Sequence, residues 1–248
     1  MRRILQLVTL ATLLVAADAA CAQIYSPNEL VAQPPRNPAR KSVDATPRDW
    51  QWLWQYTDPT PQGNKPALLA DTRFTALLED NLKAPQAMWG LGIPLAEAAT
   101  KFLAGTGTVS SADNRRVLVS GCVTDPDTHA CTQRGLLYVD LSAPSQPLVI
   151  FTALRWAEQS KTPSEPNAPF NLWIFPSRRL DAERLPDAYK AALGTWAAAG
   201  CPALSPTLAN VLVVEPNGVP HVVGPLTVGL GTTVCTHIFP THNVGTHS

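Results

Sequence analysis

RVLVSGCVTDPDTHACTQRGLLYVDL, residues 116 to 141, is the stretch whose reading decides the fold. Arg116 to Cys122 and Gly135 to Leu141 are apolar runs rich in Val, Leu and Tyr, the composition of short strands. Between them Thr124, Asp125, Pro126, Asp127 and Thr128 favour turns. The spacing predicts a hairpin with Cys122 and Cys131 across its neck. A bridge there ties the tip, and a disulfide closing so short a loop contributes on the order of 2 to 3 kcal/mol. His129 stands on that tip, two residues before the second cysteine.

On the C-terminal side, Pro147 to Trp156 and Phe170 to Phe175 have strand composition, and the polar, proline-broken Glu158 to Pro169 reads as the loop between them. Leu185 to Ala199 reads as a helix that turns Tyr189, Leu193 and Trp196 inward and closes at Gly200. Asn210 to Val214 and Val219 to Val223 flank Pro216-Asn217-Gly218, a strong hairpin signal. On the N-terminal side, one helix starts at Pro94, carries Leu95, Ala98, Ala99, Phe102 and Leu103 inward, and stops at Gly105. Another is capped by Asp71, places Phe74, Leu77, Leu78 and Leu82 on one side, and is closed off by Pro85. DWQWLWQY, residues 49 to 56, suits a short helix or a strand, and its rings read as core or as a cap over the core. No repeat is visible. The order predicts an α+β domain over residues 49–248: an antiparallel sheet with helices packed on it and a disulfide-tied hairpin loop.

The address is written in the first 22 residues. Arg2 and Arg3 precede an apolar stretch from Ile4 to Ala17, and small residues follow through Ala22. This is the pattern of a cleaved secretory signal peptide, with a cut after Ala22 and competing cuts after Ala19 or Ala20. Lipid anchoring at Cys21 is disfavoured because Asp18 stands where such a signal needs Leu. The apolar run is short for a membrane span and no later stretch is longer, so a soluble periplasmic or secreted protein is expected. Residues 23–48 hold Pro27, Pro34, Pro35, Pro38 and Pro47 among polar residues and read as an extended tether. Cleavage leaves Cys122, Cys131, Cys201 and Cys235, an even number in an oxidising compartment. Three pairings are possible, of which Cys122 with Cys131 and Cys201 with Cys235 is favoured. With 19 basic and 19 acidic side chains in the whole chain, the balance is near neutral. That argues against nucleic acid or an anionic membrane as partner.

No G-x-S-x-G, H-E-x-x-H, phosphate-cradling glycine loop or dinucleotide fingerprint is present. An enzyme is therefore not expected, and neither is a cofactor. His237, His242 and His247 recur near Cys235, but their spacing suits no helical face and the segment is terminal, so no metal site is assigned.

The hairpin Arg116 to Leu141 resembles the signature of the Ivy-type inhibitors of vertebrate lysozyme. These are secreted bacterial proteins in which a strand enters a loop Cys-Lys-Pro-His-Asp-Cys and a second strand leaves it. Cys122 matches the opening cysteine, His129 the histidine, Cys131 the closing cysteine, and Arg134 to Asp140 the return strand. Eight residues separate the cysteines here, where the family has four. The resemblance implies that His129 enters the cleft of a lysozyme-like glycosidase and lies between its two catalytic carboxylates, which must be free for turnover. Asp125, Asp127 and Thr128 would then be supporting contacts, and the cysteines a clamp. The alternative is a cell-envelope or secreted binding protein without inhibitory activity. Nothing in the sequence speaks to oligomeric state.

Overall fold

Both N-terminal helix signals are realised. The structure, a computed structural model, describes residues 50–57, 61–85, 92–124, 131–143, 145–157, 168–199 and 207–231, all within the compact unit Thr46–Ser248. A short 3₁₀ turn, Gln51–Tyr56, is followed by helices α1 (Pro61–Ala70), α2 (Thr72–Asn81) and α3 (Leu95–Ala104). Asp71 caps α2 by accepting a hydrogen bond from the Arg73 backbone N–H at 2.8 Å. Tyr56 donates to the same carboxylate at 2.8 Å, which joins the 3₁₀ turn to the start of α2. Of the helix and strand that residues 49 to 56 both allowed, the structure forms the helical turn, and the rings of Trp50, Trp52, Trp54 and Tyr56 lie half-buried against the core.

Seven strands form one sheet in chain order: β1 (Val109–Ala112), β2 (Arg116–Thr124), β3 (Cys131–Asp140), β4 (Leu148–Trp156), β5 (Pro169–Pro176), β6 (Thr207–Val214) and β7 (Pro220–Val223). Helix α4 (Asp187–Ala199) falls between β5 and β6. The sheet is mixed, which corrects the antiparallel expectation: β5 and β6 run parallel, while every other neighbouring pair is antiparallel. A hairpin turn reverses the chain. A connection long enough to hold α4 carries it back to the end of the sheet where β5 began, so β6 points the same way as β5.

Alternation along the strands divides the buried side chains into two clusters. Val117, Val119, Leu137, Val139 and Phe151 belong with Phe74 and Leu77 of α2 and with Ala99, Phe102 and Leu103 of α3. Leu136, Tyr138, Ile150, Leu172 and Ile174 belong with Tyr189, Leu193, Trp196 and Ala197 of α4. In the second cluster the Thr152 and Tyr189 hydroxyls pair at 2.6 Å, satisfying both where no water reaches.

β1 joins β2 through Asp113 and Asn114, whose φ values of 54° and 50° place them in the left-handed region that Asp and Asn tolerate best among residues with side chains. The Pro216-Asn217-Gly218 turn forms as expected between β6 and β7. Gly218 has φ 91°, and the Asn217 side chain accepts from Val219 N at 3.1 Å.

Candidate functional site

The signature hairpin is β2 paired with β3. Its strands run further than the sequence suggests, to Thr124 on one side and from Cys131 on the other, so both cysteines are strand residues. Val119 pairs with Leu137, Gly121 with Gly135 and Cys122 with Arg134. The register then shifts, and Thr124 pairs with Cys131, leaving Thr132 as the extra residue of a bulge. The shift brings Cys131 diagonally close to Cys122: the two stand at disulfide distance with Cα atoms 5.6 Å apart.

Buried groups brace the opening strand from below. Gly105 N donates to Cys122 O at 3.0 Å. Lys65 of α1 is almost fully buried; its Nζ donates to Ser120 O at 2.9 Å and also to Gly105 O. No carboxylate joins it among the described residues, and burial lowers its pKa from the ordinary lysine value.

Beside the hairpin neck a groove opens between α4 and the β1–β3 part of the sheet. Strands lie about 4.8 Å apart, and a helix with its side chains is only about 10 to 12 Å across. One helix is therefore narrower than a seven-stranded face. The end nearest the neck has a volume of about 440 Å³ and is lined by Cys131, Arg134, Ser120, Leu136 and Trp196, among others. A second concavity of about 550 Å³ shares Leu118, Ala192 and Thr195 with it and reaches Arg116 and Tyr138.

Arg134 is the charged group of the inner end. Its guanidinium lies 4.5 Å from the centre of the Trp196 ring and donates to the carbonyls of Trp196 and Ala197 in the last turn of α4. A cation suits that end of a helix. Burial pulls its pKa down to about 10, so it remains charged at neutral pH. At the outer end Arg116 bridges Asp113 at 2.5 Å and reaches Asp140 at 3.4 Å, and Tyr138 donates to Asp140 at 3.1 Å.

A separate polar cluster lies by the β6–β7 turn. Glu215, buried, binds His221 Nε2 at 2.9 Å and Arg179 Nε at 3.1 Å. Among the described residues no three metal-ligating side chains converge.

Of the residues singled out from the sequence, the structure brings together Cys122 and Cys131. Asp125, Asp127, Thr128 and His129 lie outside the described residues, as do Cys201, Cys235 and the histidines of the tail. Arg134, Lys65 and the Glu215–His221 pair were missed. Arg134 carried a signal: by strand alternation it shares a face with Leu136 and Tyr138, a place where a charge needs a reason. No helix among the described residues is long and apolar enough to cross a membrane. No family model, curated protein or solved structure matches the chain.

Proposed function

We propose that this is an exported Ivy-like protein that inhibits a lysozyme or related muramidase by presenting the segment between Cys122 and Cys131 to the enzyme's cleft. The observation that carries the reading is the clamp: the two cysteines stand at bonding distance at the end of the β2–β3 ladder. A clamp of this kind restricts the eight residues it spans, and a restricted loop loses less conformational entropy on docking. In this reading the helices pack on the sheet and hold the hairpin base rigid, with Lys65 and Gly105 as the fixed points beneath Cys122. His129 supplies the imidazole between the two catalytic carboxylates, and Asp125 and Asp127 suit the basic rim of a lysozyme.

Turnover of peptidoglycan by several lysozyme types, measured with and without the oxidised protein, tests the reading. Inhibition by the wild type is expected, with a loss of at least tenfold for His129→Ala at an unchanged circular dichroism spectrum, and a loss on reduction of the bridge. Absence of inhibition by the folded wild type across all lysozyme types overturns it.

A further inference from the structure

We infer that the groove between α4 and the β1–β3 face is a binding site for a free fatty acid, with the carboxylate on Arg134 and the acyl chain along Leu118, Leu136 and Ala192. The inference does not depend on whether the Cys122–Cys131 loop inhibits an enzyme.

The argument starts from hydrogen bonds. A guanidinium has five N–H donors, and Arg134 directs one to Trp196 O and one to Ala197 O. The other three have no acceptor among the described residues, and no carboxylate there pairs with the charge. The Trp196 indole N–H, in the ring against which that guanidinium stacks, is also buried without an acceptor. A buried donor left unpaired is costly, and the Trp196 N–H is one, whereas Arg134 is half-buried and lines the groove. An anion with more than one oxygen suits Arg134, since the planar fork favours two-point pairing with a carboxylate.

The walls define the rest of the molecule. Between Asp187 at one end and Trp196 at the other, the α4 side facing the groove carries the small residues Ala188, Ala191, Ala192 and Thr195, which leaves room beside the helix. Leu118 and Leu136 give an apolar stretch leading away from Arg134, through lining shared by the two concavities. An unbranched acyl chain fits a groove of this kind, and a single negative charge matches Arg134, which no carboxylate pairs among the described residues.

Titration calorimetry of the full-length exported protein with octanoate, decanoate and dodecanoate, each below its micelle concentration, tests the inference. One-to-one binding is expected, tightening by about fourfold for each methylene that finds apolar wall. Dodecanol should bind at least tenfold more weakly than dodecanoate, and dodecyltrimethylammonium should not bind. Arg134→Gln should abolish the preference for dodecanoate over dodecanol. Because Arg134 also serves the end of α4, Ala192→Phe provides an independent check: it fills the open channel and should remove binding while leaving the melting temperature nearly unchanged. No binding of dodecanoate, equal binding of the alcohol or the cation, or full binding by Ala192→Phe each overturns the site. So does capture of the protein by anionic phospholipid vesicles with no affinity for the free acid.

Discussion

Lys65 and Asp71 show how much of this fold rests on single polar side chains. Lys65, itself almost fully buried, supplies a donor to two carbonyls, Gly105 O and Ser120 O. Replacing it with Met keeps the stem and leaves both acceptors unpaired, so Lys65→Met should lower stability by about 1 to 3 kcal/mol in urea unfolding. Asp71 combines an N-cap with an ion pair to Arg73 at 2.6 Å and the hydrogen bond from Tyr56. The Arg73 hydrogen bonds hold its carboxyl well below the usual aspartate range. Its contribution is thus present above the unfolded value of 3.8 and is lost as the pH falls below it. Asp71→Ala should cost about 1 to 2 kcal/mol at pH 7 and much less at pH 2, read from thermal melts at the two pH values. Asp71 was legible because a capping residue leaves a local pattern. Lys65 was not: its partners are 40 and 55 positions away, and nothing near it in sequence marks it as buried.

Among the elements, the hairpin strands, α2, α3, α4 and the β6–β7 turn could all be read from apolar period and turn chemistry. Helix α1 could not, since Gly63 and Pro66 inside it read as breakers. Strand β1 is only four residues long, VSSA, and carries little apolar signal; it exists because β2 offers it an edge. The close approach of α3 to the hairpin was also hidden. Gly121 and Gly135 face each other across β2 and β3, and a Cβ on either would run into α3: into the Leu103 backbone for Gly121, and within 2.8 Å of Phe102 Cβ for Gly135. Gly121→Ala must push rigid backbone aside. It should therefore destabilise by about 2 to 3 kcal/mol and disturb amide shifts in both α3 and the hairpin neck, which heteronuclear NMR would report. A change confined to β2 would show that α3 does not rest there.

At the scale of the whole molecule, burial of phenols sets the alkaline limit. Burial raises the pKa of both Tyr138 and Tyr189 above the ordinary 10.0, with the Asp140 charge adding to the effect at Tyr138. The unfolded chain then releases these protons first, so their contribution to stability is complete below pH 10 and falls as the pH rises beyond it. Lys65 works in the opposite sense, adding stability as the pH climbs toward the unfolded value of 10.5. Urea unfolding at pH 9 and pH 11 should show a net loss, and Tyr189→Phe should flatten the slope even though it orphans the Thr152 hydroxyl. An unchanged slope in that variant would remove Tyr189 from the account. The parallel pairing of β5 with β6 has its own consequence, for the order of assembly. Each strand from β2 to β5 pairs with the strand just before it, so the meander can zip up as the chain appears. The far edge of β5 must wait until α4 and β6 have arrived, and loop closure across that crossover comes late. For that interval an apolar strand carrying Phe170, Leu172 and Ile174 is the open margin of the growing sheet, and a chain cut short before Thr207 would keep it open, a template for aggregation.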